Sequence, residues 1–210
     1  MKRLLLIAPV LAVLLFAGCD LFGGSPDYYP LTVGNAWNQR AVSILETTDA
    51  TPETSLITEN RMVIINKDTL NSGLDVFAMA QATTMNFRSP ETTYIVFDTT
   101  FIHEGDDAVL TFDSKGDTTG DTLLSLPLGV GKTWVQSLAV ATVAQQENVT
   151  VAAGTYKNCW RIDYKVALQT GLTMHMWYGN KVGAVKTETV IIAANYKSTY
   201  ISELTSAIIK

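Results

Sequence analysis

From Trp37 onward the chain reads as a series of short runs rich in Thr, Val, Ile, Tyr and Phe, broken at close intervals by Gly, Asn, Asp and Ser. Within the runs, apolar and polar residues alternate with period two, the signature of strands that bury one face. Trp37 to Glu46 sets Val42 and Ile44 in alternation with Ala41, Ser43 and Leu45; the polar Thr47 to Ser55, with Pro52, follows as a loop. Leu56 to Asn66 predicts a second strand, ended by a turn at Asn66-Lys-Asp68 or Asn71-Ser-Gly73, and Leu74, Val76, Ala78 and Ala80 share one face of a third. Thr92 to His103 and Asp107 to Asp113 continue the meander.

The clearest alternation is Asn158 to Leu168. Trp160, Ile162, Tyr164, Val166 and Leu168 fall on one face, and Cys159, Arg161, Asp163 and Lys165 on the other. With Val149 to Lys157 before it, this strand predicts a hairpin, and Leu172 to Tyr178 with Val182 to Ile192 predicts another around Gly179-Asn180. Trp134 to Gln146 is compatible with helix through its alanines and leucine, but Val135, Val140, Thr142 and Val143 are β-branched and favour strand. Tyr196 to Ile209 closes the chain as a strand or a short helix. The expectation is an all-β single domain over residues 28–210: a curved antiparallel sheet, barrel-like or half-barrel, with few or no helices.

One phrase occurs twice: Pro30-Leu-Thr-Val-Gly34-Asn-Ala-Trp37 and Pro127-Leu-Gly-Val-Gly131-Lys-Thr-Trp134. A φ-restricted proline precedes a glycine free to turn, and the tryptophan then opens a strand with a large flat surface to bury. Each half of the chain is expected to begin at such a corner.

The amino terminus has a different pattern. Lys2 and Arg3 precede the apolar stretch Leu4 to Phe16, and Ala17-Gly18 supplies small residues, as in an export signal. Thirteen apolar residues make about 20 Å of helix, short of a bilayer's roughly 30 Å hydrocarbon core. Phe16-Ala-Gly-Cys19 resembles the lipobox of bacterial lipoproteins, which implies acylation of Cys19, removal of residues 1–18 and anchoring to a membrane by its acyl chains. Phe16 departs from the leucine usual there. Residues 19–27, Cys-Asp-Leu-Phe-Gly-Gly-Ser-Pro-Asp, then read as a tether. Asp20 resembles an inner-membrane retention signal of enteric bacteria, a rule other bacterial groups do not follow.

Loss of residues 1–18 lowers the 15 basic side chains to 13 against 20 acidic ones, a net charge of −7. A nucleic-acid partner is disfavoured, because phosphate binding needs clustered Lys and Arg. With Cys19 acylated, Cys159 is alone, so neither a disulfide nor a cysteine metal cluster is expected.

The mature chain resembles a loosely defined group of uncharacterised bacterial lipoproteins. The resemblance rests on Tyr28 to Trp37, Pro127 to Trp134, Val151 to Cys159, and Trp177 to Lys186 taken as a set. It implies a cell-envelope lipoprotein built on a curved antiparallel sheet, and no activity.

Candidate chemistry is sparse. Cys159 with His103 or His175 is the only nucleophile and base set, without a local signature, so no catalytic residue is assigned. Asp113 to Asp121 resembles a calcium loop, but Lys115 takes a ligand position, and a solvated hairpin tip is expected instead of a metal. Gly129 to Thr133 lacks phosphate-loop spacing, and no cofactor is expected. The candidate site is aromatic: Trp37, Trp134, Trp160, Tyr164, Trp177 and Tyr178, which on a concave face would hold an apolar ligand or lipid. If they fill the core instead, the protein is a structural or assembly lipoprotein that binds another envelope protein.

Overall fold

The computed structural model describes residues 26–48, 51–88, 90–167 and 170–210. The export signal, Cys19 and most of the tether lie outside the described residues, as does Leu168. The described residues form β1 (Ala36–Thr47), β2 (Glu53–Thr69), β3 (Asp75–Arg88), β4 (Glu91–Glu104), β5 (Ala108–Phe112), β6 (Asp121–Ser125), β7 (Thr133–Gln136), β8 (Ala139–Val151), β9 (Gly154–Val166), β10 (Leu172–Gly179), β11 (Gly183–Ile192) and β12 (Tyr196–Ile208). All twelve belong to one antiparallel sheet nearly closed into a barrel, and the all-β expectation holds.

The strand order is β6-β5-β4-β3-β2-β1-β12-β11-β10-β9-β8-β7. Two six-stranded meanders therefore meet at the middle of the sheet, where β1 pairs with β12 from Ala36–Ile208 to Thr47–Tyr196. Each meander starts at one copy of the repeated phrase, and the copies adopt the same corner. Gly34 and Gly131 both have positive φ, 91° and 83°. The Gly34 amide donates to the Ile64 carbonyl (2.8 Å), and the Ile64 amide to the Asn35 carbonyl (2.9 Å). In the second copy the Gly131 amide donates to the Val143 carbonyl (2.8 Å), and the Val143 amide to the Lys132 carbonyl (2.9 Å). The likeness extends past the phrase. Both partner strands shift register just after the residue that receives the corner, at Ile64/Asn66 in β2 and Val143/Gln145 in β8. Such a bulge bends the strand and increases its twist, which curls the sheet.

The two outer edges approach at a seam. The Trp134 indole N–H donates to the Thr122 carbonyl of β6 (3.1 Å), and the Ser137 hydroxyl to an Asp121 carboxylate oxygen (3.1 Å). The end at which the described chain begins is proximal: the Asp27 amide donates to Asn180 Oδ1 (3.0 Å), and the Lys210 amide to Asn35 Oδ1 (2.9 Å). There the β8–β9 turn folds over to β12, its Ala153 amide reaching the Leu204 carbonyl (3.1 Å). Val149, Val151, Cys159, Val185 and Leu204 are buried in the same core cluster. A second, small core of Leu70, Val76 and Phe112 lies apart from it. It uses one residue of the predicted Leu74-Val76-Ala78-Ala80 face fully, with Leu74 packed against it.

Several boundaries differ from expectation. Trp134 to Gln146 is neither helix nor one strand: β7 and β8 are separated by Ser137 and Leu138, and Ser137 takes φ 51°. No glycine or asparagine marks that turn. β6, five residues after the acidic loop, had no legible alternation. The residues of the proposed Asn66-Lys-Asp68 turn belong to β2, and the chain turns at Asn71-Ser-Gly73 instead. The last segment is strand, β12, paired on both sides.

Candidate functional site

The aromatic candidates sort by the pleat. On β9, Ile162 and Tyr164 are buried inside, and Tyr164 pairs with Ala141 of β8 and Met174 of β10. Trp160 packs against this core, and its indole N–H donates to the Tyr28 hydroxyl (2.9 Å). Tyr178, 1% exposed, sits opposite Trp160 across the β9–β10 ladder. Trp37, 4% exposed, stacks tilted on Tyr29 with ring centroids 6.2 Å apart and donates to the Val182 carbonyl (2.6 Å). Trp134 lies at the seam. All six candidates thus belong to the packed core or its edge.

Trp177 is buried too, 8% exposed, but on the other side of β10. Successive residues of a strand point to opposite faces, so Trp177 cannot share the inner face with Tyr178. It pairs with Arg161 and Lys186 on the outer face, where its indole N–H donates to Glu147 Oε1 (2.7 Å) and Lys186 Nζ sits 5.2 Å from the ring centre. Beside it, Arg161 Nε lies 2.9 Å from Asp163 Oδ1, and His175 Nδ1 lies 2.6 Å from the same oxygen. Glu147, Arg161, Asp163 and His175 form a half-buried polar ladder across β8, β9 and β10, bordering the buried Trp177 ring. Arg161 and Asp163 were legible as one polar face. Their alignment with His175 is a matter of hairpin register, which the spacing across the β9–β10 turn could have suggested.

Little space is left inside. A cavity of about 150 Å³ lies among Tyr29, Trp37, Met62, Leu123, Met176 and Tyr178. Sites for drug-sized ligands run from about 300 to 1,000 Å³. Three wider clefts, about 360, 320 and 510 Å³, open on the surface beside Lys67, Asp68 and Glu104, beside Arg40, Glu59 and Arg61, and beside Glu104, Asp106 and Leu126. None of the six aromatic candidates lines them.

The titratable interior is neutral. Burial pushes the Tyr164 hydroxyl up to about 12. Tyr178 is raised well above its ordinary value by burial and by the neighbouring Tyr164 and Tyr29. Cys159 is fully buried, and burial, then the charge of Glu147, push its thiol up to about 11. A thiol in that environment is held as the poor nucleophile. His103 Nδ1 pairs with the Asp75 carbonyl (2.8 Å) and His175 with Asp163, so each imidazole has its own partner away from Cys159. In the acidic loop, Asp117 accepts from the Ser114 hydroxyl (2.7 Å) and from the amides of Asp113 and Ser114 (2.9 Å each). Lys115 reaches Asp68 (2.7 Å). The loop's carboxylates are organised by their own chain, and among the described residues no group of three or more metal-ligating side chains converges.

A nearly closed antiparallel barrel with a packed aromatic interior defines the structural class. Its architecture is similar to that of a Bacteroides fragilis NCTC 9343 protein described as a "putative exported protein with YmcC-like fold", at TM-score 0.50 and 14% identity, covering 87% of this chain and 99% of that one. A "putative lipoprotein" from Parabacteroides distasonis ATCC 8503 aligns at TM-score 0.46 and 13% identity over 89% of this chain and all of the other. In sequence, residues 137–199, from the β7–β8 turn into β12, match the DUF3108-like family. No curated protein matches the chain.

Proposed function

We propose that this protein is a non-enzymatic, lipid-anchored module of the bacterial cell envelope that acts by binding another envelope protein through its outer surface. The observation that carries this reading is the filled interior: the aromatic residues that could have lined a lipid site are committed to packing and leave about 150 Å³ among them. Recognition then falls to the outside. Exposed apolar side chains at the distal end, away from the anchor, include Leu138 in the β7–β8 turn with Val135 of β7 beside it, and Ile192 and Tyr196, which flank the β11–β12 turn. Export and anchoring rest on Lys2-Arg3, the apolar stretch after them and the Phe16 to Cys19 lipobox.

A second reading keeps an apolar ligand. It is favoured by the cavity lining, half of it aromatic or thioether, and by a volume suited to a benzene-sized molecule. Native mass spectrometry of residues 20–210, expressed in a periplasm and never exposed to detergent, separates the two. A bare polypeptide mass is expected. A reproducible extra mass, of a small molecule extractable into organic solvent, would replace the first reading with a carrier.

A further inference from the structure

The outer margin of β4 is open. Only Phe101–Glu104 pair with β5, so among the described residues Thr92–Thr100 have β3 on one side and no strand on the other. Proteins usually blunt such an edge with proline, lysine, a bulge or a covering loop. This one carries no proline or lysine, and its ladder with β3 runs from Arg88–Glu91 to Phe77–Ile102 without a register shift. At its centre stand four successive exposed apolar residues: Tyr94, Ile95, Val96 and Phe97, the last 77% exposed.

We infer that this edge is the seam of a homodimer, in which β4 pairs antiparallel with β4 of a second copy about a twofold axis through Val96. The choice of occupant comes from the segment's own symmetry. The open margin runs from the residue after Glu91 to the residue before Phe101, where β5 begins, and its midpoint is Val96. A twofold there uses the whole margin, and the pairing ends at Thr92 and Thr100, because Glu91 of each copy would fall opposite the other's Phe101, where Phe112 already sits. An axis perpendicular to the sheet keeps opposed residues on one face, as a regular antiparallel pair requires.

In this register Ile95 faces Phe97 twice, Tyr94 faces Asp98, Thr93 faces Thr99 and Thr92 faces Thr100. These are aromatic with β-branched, hydroxyl with carboxylate, and threonine with threonine, all favourable cross-strand pairs. The margin's one charged residue, Asp98, never meets its copy. Centring on Ile95 instead would leave Phe97, the most exposed of the four, against Thr93. The interface does not depend on the envelope role proposed above, since it needs no partner but a second copy.

The test is sedimentation equilibrium on the chain from Asp20, with cysteine cross-linking of the full-length chain. Wild type is expected at twice the protomer mass. Val96→Lys, which sets two like charges face to face across the axis, is expected to halve that mass while leaving the far-UV spectrum unchanged, because Val96 is half exposed in the protomer. Under mild oxidation Val96→Cys should give a disulfide-linked dimer and Thr92→Cys should not. The twofold separates the two copies of residue 92 by eight strand positions, about 26 Å, far beyond disulfide reach. Wild type, whose Cys159 is buried, is the blank. A monomeric wild type, a dimer that survives Val96→Lys, or equal cross-linking at both positions overturns the inference. So would a monomer whose edge takes up a strand from a different protein.

Discussion

The equivalence of the two Pro-Leu-x-Val-Gly-x-x-Trp corners can be tested at their glycines. Gly34→Ala and Gly131→Ala each force an L-residue to positive φ, at 91° and 83°. The left-handed region costs a residue with a Cβ about 1–2 kcal/mol. The stiffening of the unfolded chain that Gly→Ala ordinarily brings, about 0.4–1 kcal/mol, does not outweigh it where φ is positive. A Cβ at Gly131 meets nothing within 4 Å, so conformation is the whole cost there. At Gly34 it runs into the Lys210 ammonium end, the tip of a flexible side chain that can swing aside. The two variants should therefore each lose about 1–2 kcal/mol. Lying in different meanders without shared partners, they should add to about 2–4 kcal/mol in the double variant. Urea unfolding followed by tryptophan fluorescence measures this, with an unchanged m-value showing that the unfolded state is not the source. A neutral Gly131→Ala beside a damaging Gly34→Ala, or the reverse, would refute the claim that one backbone device begins both halves.

Four further outcomes are expected. Gly171→Ala should cost more than either corner variant, because at φ 84° its Cβ would strike the Ile192 backbone carbonyl, which cannot swing away; a smaller loss in the same urea series would contradict this. Trp37→Phe should cost about 2–4 kcal/mol, from lost contacts and from a buried Val182 carbonyl left without its donor, and a loss under 1 kcal/mol would show that carbonyl to be rescued by water. Tyr164 and Tyr178 have folded pKa values raised by burial. Their contribution to stability is therefore intact below the ordinary tyrosine value of 10.0 and is lost as pH rises above it, towards 12 for Tyr164. Absorbance titration should show their ionisation delayed until the protein unfolds. Asp68 and Asp117 are held below the ordinary value of 3.8, by the Lys115 and Ser114 side chains first. The Asp113–Asp121 loop should stay ordered above that pH and loosen as pH falls through and below it, seen as faster amide exchange of Asp113 and Ser114.

What could be read from the chain was what depends on neighbours in sequence. Trp160, Ile162 and Tyr164 alternate with Arg161 and Asp163, and the strand buries that face as its pattern requires. The positive φ of both repeated glycines was legible for the same local reason. Three things were not. The turn between β7 and β8 is made by Ser137 and Leu138, without the Gly or Asn that ordinarily takes a positive φ, so two strands read as one. The bulges after Ile64 and Val143 exchange the faces of β2 and β8 midway, which alternation alone does not announce. Trp177 was grouped with Tyr178 because both are aromatic, although adjacent strand residues must part company. Whether the sheet closed around a cavity or a core depended on side-chain volumes summed across β1, β2, β6, β10 and β11, and no local stretch of sequence contains that sum.

The pairing of β1 with β12 has a consequence for how the chain is made. The first strand to emerge is mated with β2 at once, but its other margin must wait for the last one, whose residues lie up to 172 positions later in the Ala36–Ile208 pair. A chain that emerges from its amino terminus therefore completes one meander while the central joint stands open, and the joint can close only once β12 has been delivered. Contacts so distant in sequence form slowly. During that interval the unmated margin of β1 is a template for any passing strand. Loss of the final fifteen residues, Tyr196 to Lys210, would leave the two meanders with no β1–β12 ladder between them at mid-sheet. Completeness of the chain is thus tested by the fold itself at its central ladder.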